Sequence, residues 1–173
     1  MEFHMIIFLS NYIETIRIKY YHVHMNKKLL YLDVCCLCRP FDNQNYLRIK
    51  LETDAIFLIL ERIQKNDYDL LYSKVHLLEI EAINNNFERN ELMTLLKKIG
   101  SYINPHNKST LKMLADELHS KGIGIADAAH LSFAEIATDF FITCDDSLIK
   151  KGNKFSKIPL LNLVEFCIKE NLT

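Results

Sequence analysis

The sequence has no excess of charge of either sign. Its 173 residues carry 21 Lys and Arg against 22 Asp and Glu, a formal net charge of -1. No global basic field draws nucleic acid, so any phosphate contact has to come from a local patch. A long hydrophobic run is missing as well. The apolar stretch from Met5 to Leu9 is too short to span a bilayer. The opening "MEFHMIIFLSNYIETIRIKYYHVH" has neither the basic start nor the small-residue cleavage site of a secretory signal. Together with an odd count of five cysteines, this points to a reduced, cytoplasmic protein. No second cysteine pair accompanies Cys35, Cys36 and Cys38, and their spacing is wrong for a zinc knuckle. These thiols read as small buried apolar groups. Internal repeats and low-complexity linkers are also absent. The Gly122-Ile123-Gly124 stretch lacks a P-loop lysine and follows a helix, so it reads as a turn.

What is present suits one globular domain with a full core: hydrophobic residues make up 49% of the chain and charged residues 25%. Residues 1–26, rich in Tyr, Ile and His, read as an N-terminal extension, and 27–173 as the domain proper. From Lys28 onward, strand and helix patterns alternate. "LLYLDV" reads as a buried strand. Residues 45–65 form a long amphipathic helix with Leu47, Leu51, Ala55, Ile59 and Ile63 on one face. "YDLLYS" is a second strand, followed by a helix in "KVHLLEIEAINN" that the asparagines stop. "ERNELMTLLKKIG" is a helix ended by Gly100, and "KSTLKMLADELHSKG" one ended by Gly122. "ADAAHLSFAEIA" is a short helix, "DFFITC" a strand, and "DDSLIKKG" a helical turn or short helix. "IPLL" is a last strand and "NLVEFCIKEN" a closing helix. Alternation of this kind predicts an α/β fold with a parallel sheet covered by helices.

In such sheets, sites form beyond the C-terminal strand ends. Asp33 ends the first strand. Asp145 and Asp146 follow "FFITC" directly. Asp127 starts a helix, and Glu79 lies about one and a half turns into the helix after "LLYS". Four carboxylates at one edge repel, and without a cation some must take up protons. Oxygen ligands of this kind suit Mg2+ or Mn2+, and such an ion can activate water for attack on phosphorus. Each acid also has a plainer reading taken singly. Asp127 favours a helix dipole, Asp145-Asp146-Ser147 makes a helix entry, and Glu79 and Glu81 suit a solvated helix face. Asp146 reads equally as an auxiliary ligand or a cap. Asp33 has few structural jobs at the end of an apolar strand.

The ordered set "YLDVCCLCRPFD", "SKVHLLEIE", "GIADAAHLSFAE" and "FFITCDDSLI" resembles the PIN-domain family, most closely its VapC-type bacterial and archaeal members, over residues 28–168. The resemblance implies a PIN-like three-layer αβα sandwich and a metal-dependent ribonuclease. It implies Asp33, Glu79, Asp127 and Asp145 as the acids that hold the ion, Asp145 in the Thr-x-Asp context of Thr143. The family's first motif usually reads Asp-Thr-Asn or Asp-Thr-Ser. Here it is Asp33-Val34-Cys35, which removes a hydroxyl or amide donor beside the acid.

Other residues stand near these motifs. His130, three residues after Asp127 on the same helical face, reads first as a packed or surface histidine. Lys150, Lys151, Lys154 and Lys157 cluster near the fourth acid and suit either RNA phosphates or a solvated face. Arg39 is close enough in sequence to Asp33 to reach a scissile phosphate or a carboxylate.

The expectation is a divalent-metal-dependent endoribonuclease, the toxin of a toxin–antitoxin pair, with RNA, a small antitoxin protein and a second copy of itself as partners. The altered first motif keeps a second reading open: a PIN-like module that binds RNA or a protein and cuts poorly. A phosphatase of the haloacid dehalogenase type also ends its first strand on an acid. Its pattern is Asp-x-Asp, however, and Cys35 stands at the second position.

Overall fold

The computed structural model describes residues 27–105 and 107–173. The expected extension over 1–26 lies outside the described residues. Strand β1 (Lys28–Leu32) leads into a short helix α1 (Val34–Cys38), a 3-10 turn (Arg39–Phe41) and the long helix α2 (Leu47–Gln64). Strand β2 (Tyr68–Tyr72), helices α3 (Lys74–Glu81) and α4 (Asn86–Ile99), and strand β3 (Gly100–Tyr102) follow. Then come α5 (Lys108–Ser120), α6 (Ile125–Ala137), β4 (Phe140–Ile142), α7 (Asp146–Gly152), β5 (Leu160–Leu161) and α8 (Leu163–Lys169).

All four strand pairings are parallel, in the order β3-β2-β1-β4-β5. This is the parallel α/β sheet covered by helices that the alternation predicts, in the three-layer arrangement that the resemblance implies. Alternate residues of β1 face opposite layers. Leu30 and Leu32 join one core with Ile56, Ile59 and Ile63 of α2, Leu92 and Leu96 of α4, and Phe166 of α8. Tyr31 joins the other with Leu118 of α5, Leu131 and Ala134 of α6, and Leu148 of α7. The chain builds β2 and β3 on one side of β1, then crosses to build β4 and β5 on the other. That reversal puts the topological switch point of the sheet, where parallel α/β folds place their sites, between the C-terminal ends of β1 and β4.

Three local features differ from the sequence expectations. Val34 starts α1 rather than continuing the strand, so the chain turns immediately after Asp33. Gly100 ends its helix and also begins β3. Its backbone is extended (φ -100°), and a Cβ there would stand 2.8 Å from the Leu96 carbonyl and 2.9 Å from the Tyr72 ring. Finally, the first two positions of the apolar stripe of α2 face outward: Leu47 is 72% exposed and Leu51 50%. The buried face there contains Glu52 and Thr53 instead. Glu52 is tolerated inside because Arg39 and Arg48 both pair with its carboxylate.

Candidate metal centre

Asp33 follows β1 and is 8% exposed. Its amide donates to the Ile142 carbonyl at 2.9 Å, which ties it to the end of β4. Its Oδ2 accepts from Thr143 Oγ1 at 2.6 Å and from Cys35 Sγ at 3.2 Å. The family pattern leads one to expect a missing donor after the acid. The thiol of Cys35 and the hydroxyl of Thr143 supply two. Burial, the largest cause, pushes the Asp33 carboxyl up to about 7. Among the described residues no Lys or Arg pairs with it; its nearest cationic candidate is His130, with Nε2 4.0 Å from Oδ1.

Glu79 comes to the same place through the start of α3. Ser73 caps this helix, its side chain accepting from the Val75 amide at 3.2 Å. In return the Ser73 amide donates to His76 Nδ1 at 3.1 Å. This is a capping box with histidine where Glu or Gln is usual. His76 Nε2 then donates to the Leu32 carbonyl at 2.8 Å, next to Asp33. Both ring nitrogens are thereby assigned, and burial lowers the His76 pKa to about 3, so the ring is neutral. One helical turn on, Glu79 Oε2 lies 3.0 Å from His130 Nε2.

Asp127 and His130 share a face of α6, as residues three apart on a helix do. Asp127 is half-buried in the first turn. Burial raises its pKa, and the charges of Asp33 and Asp145 add to the rise. His130 is 2% exposed. Its Nδ1 meets the Tyr31 hydroxyl at 2.9 Å, and that hydroxyl meets Ser73 Oγ at 2.7 Å. Asp145 caps α7, with Oδ1 accepting from the amides of Ser147 (2.7 Å) and Leu148 (3.0 Å). Thr143 Oγ1 accepts from the Asp145 amide at 3.2 Å while donating to Asp33, so one hydroxyl links two of the acids.

Asp33, Glu79 and His130 each offer one ligand atom, and these atoms lie within 4.8 Å of one another. A buried carboxylate without a Lys or Arg partner, a second carboxylate and a polar nitrogen in the same cluster, and Asp127 close enough to feel the Asp33 charge suit a divalent cation. The remaining candidates lie apart from this cluster. Asp146 is exposed, and Arg48 engages both its oxygens at 2.7 and 2.8 Å, which holds its pKa below the usual range. Arg39 pairs with Glu52 and Asp42. Lys150 and Lys151 are exposed in the last turn of α7, and Lys151 Nζ donates to the Gly122 carbonyl at 3.2 Å. Glu81, the alternative to Glu79, is exposed at the end of α3. His130 is packed, as the sequence suggests, and also stands 3.0 Å from Glu79. Tyr31 and His76 beside it are not singled out in the sequence; the one signal for His76 is a histidine three residues after Ser73.

Cys144 brings a third sulfur to Cys35 and Cys36. Its Sγ lies 3.6 Å from Cys36 Sγ, and Cys36 donates to the Ile142 carbonyl at 3.4 Å. Cys36 and Cys144 are buried between the ends of β1 and β4, in line with packed thiols.

No protein-family model matches the chain, and no curated protein matches it. Solved structures do. VapBC2 from Rickettsia felis bound to a DNA fragment from its promoter matches with a TM-score of 0.52 at 19% identity, covering 78% of this chain and 98% of that one. FitAB bound to an IR36 DNA fragment matches at 0.50 and 17%, covering 78% and 94%. FitAcB from Neisseria gonorrhoeae gives 0.48 and 17%, covering 78% and 98%. At these identities the likeness is one of fold: a five-stranded parallel sheet between helical layers. Among the described residues no helix is long and apolar enough to cross a membrane.

Proposed function

We propose that residues 27–173 are a PIN-type, VapC-like domain that hydrolyses RNA phosphodiester bonds with a divalent cation, Mg2+ or Mn2+. The observation that carries this reading is the buried Asp33 carboxylate beside Glu79, with no Lys or Arg paired to it among the described residues, at the switch point of a parallel sheet. A bound cation there would polarise the scissile phosphate and lower the pKa of an attacking water.

The chain's own residues divide the remaining work. Asp33, Glu79, Asp127 and Asp145 hold the cation. Thr143 fixes Asp33, and the first amides of α7 fix Asp145. Asp146 is left out, since Arg48 already engages both its oxygens. The buried wall of Tyr31, His76 and His130 keeps water from one side of the cluster, while the exposed Asp145 side admits substrate. Lys150 and Lys151 contact flanking phosphates as α7 leads away from Asp145. Arg39 has a different part in this reading: it neutralises Glu52 and braces α2 against the 3-10 turn.

The fold occurs in chains of VapBC2 and FitAB complexes, which supports a place in a toxin–antitoxin pair. That reading carries a small antitoxin partner, a homodimer and a cytoplasmic setting with it. The alternative, a binding module that cuts poorly, draws on the loss of the usual Thr after the first acid. The donors Cys35 and Thr143 weaken that case. The test is cleavage of single-stranded RNA by highly purified protein, freed of any inhibitor. EDTA should stop it, and Mn2+ or Mg2+ should restore it. No cleavage with either ion would favour the binding module.

A further inference from the structure

The imidazole of His130 is held in a way that the four acids do not account for. It is 2% exposed. Its Nδ1 is engaged by the Tyr31 hydroxyl, so only Nε2 faces the acids. Nε2 is buried and makes no hydrogen bond. Glu79 Oε2 is 3.0 Å away, but it lies off the direction in which the ring nitrogen can donate, and Asp33 Oδ1 is at 4.0 Å. A buried polar nitrogen without a partner carries an uncompensated desolvation cost, so such atoms are rare unless something fills the gap.

The spacing suits an ion. Two neighbouring ligands of an octahedral dication at about 2.1 Å stand about 3.0 Å apart. The nitrogen of His130 and the oxygen of Glu79 stand at that separation, and all three donor atoms lie within 4.8 Å of one another. The far side of the ring is built as a ligand histidine's usually is, with its second nitrogen tied to a fixed polar group. With Nδ1 protonated and donating to Tyr31, the phenol donates onward to Ser73 Oγ, which caps α3, the helix that carries Glu79. His76 packs edge-on against the ring at 4.9 Å, and Tyr31 at 5.6 Å. The ring therefore cannot swing away from the acids without disturbing the start of α3.

We infer that His130 Nε2 is a direct ligand of the divalent ion, making this a mixed nitrogen–oxygen site that selects Mn2+ and the later first-row dications over Mg2+. This rests on the metal reading of the acidic cluster. The selectivity follows from ligand type: imidazole nitrogen suits transition-metal dications, whereas Mg2+ prefers oxygen and keeps its waters. Tyr31 is a positioning residue in this arrangement, since it fixes which nitrogen faces the ion.

The test uses Mn2+ as the probe and electron spin echo modulation as the readout, on the full chain with natural-abundance and with 15N-labelled histidine. Wild-type protein loaded with one Mn2+ should show coupling to a directly bound imidazole nitrogen, and the label should change its pattern. His130→Gln should lose that coupling. Titration should show its Mn2+ affinity lowered by roughly tenfold or more, with Mg2+ affinity changed less than about threefold. Bound Mn2+ without nitrogen coupling in the wild type would overturn the inference and leave the carboxylate site standing. Coupling that survives in His130→Gln would overturn the assignment to this residue. If the wild type binds no Mn2+, the metal reading itself falls. Because the wild-type spectrum decides alone, a poorly folded variant does not protect the inference.

Discussion

Thr143 Oγ1 donates to Asp33 Oδ2 across 2.6 Å, joining the ends of β1 and β4 at the point where the sheet reverses its strand order. The same oxygen accepts from the Asp145 amide. One small side chain thus sets the separation of two acids that lie 112 residues apart in the numbering. Thr143→Val keeps the shape and removes the donor. Mn2+ affinity should fall by roughly tenfold or more, as it does when groups that orient metal ligands are removed, with the fold intact by circular dichroism. Calorimetric titration measures it. An unchanged affinity would mean that Cys35 alone suffices to orient Asp33.

Asp33 should make the metal-free protein less stable as pH rises. Its folded pKa is raised from the ordinary 3.8 to about 7 by burial. Between these values the folded state binds more protons than the unfolded state, so stability falls with pH across that window. Below about pH 4 the effect is absent, and above about 7 it is complete, on the order of 2–4 kcal/mol. In EDTA, Asp33→Asn should therefore match the wild type near pH 4 and exceed it at pH 8. Urea denaturation at several pH values reads this directly. A variant less stable than the wild type at pH 8 would mark Asp33 as a structural acid with a favourable partner.

The four acids stand out in the sequence because a parallel sheet puts every strand's C-terminal end on one edge: Asp33 and Asp145 follow strands, Asp127 lies in a first helical turn and Glu79 inside a helix, and of these the structure gathers Asp33 and Glu79, with His130, within 4.8 Å. The strand–helix alternation was legible for the same reason: buried parallel strands are short apolar runs. What stayed hidden depended on pairing across the fold. Apart from Arg48 four residues before it, nothing in "RIKLETDA" says that Glu52 faces inward, because that also requires Arg39, thirteen residues earlier. Nor does Gly100 announce a strand of three residues, since β3 exists only through its register with Leu70 to Tyr72. His130 reads as ordinary packing in the sequence because the groups beside its ring nitrogens, Tyr31 and Glu79, lie in distant segments.

Glu52→Gln should destabilise the protein by about 2 kcal/mol, below the 3–5 kcal/mol typical of a broken buried pair. The reason is that both arginines keep a second carboxylate, Asp42 for Arg39 and Asp146 for Arg48. Asp146→Asn, at the exposed end of the same network, should leave stability essentially unchanged. Thermal unfolding of the two variants side by side checks the order. A larger loss for Asp146→Asn would contradict it.

Neutralising Lys150 and Lys151 should weaken binding of single-stranded RNA. The slope of log affinity against log salt should shrink by about 0.7 for each phosphate that these lysines neutralise in the wild type. Filter binding at four or five salt concentrations gives the slope. If it is unchanged, these lysines are ordinary solvated surface.

In the proposed function, the acids hold a cation whose work is in the transition state rather than in RNA affinity. Asp127→Asn tests it most directly, because the first turn of α6 accepts Asn without removing a hydrogen bond that the fold needs. The measurement compares, for wild type and variant, the rate of single-stranded RNA cleavage in Mn2+ and the affinity for the same RNA in Ca2+. Cleavage should be abolished in the variant while its affinity changes less than about threefold. A variant that still cuts at the wild-type rate, or one that loses RNA binding and cleavage together, would contradict it.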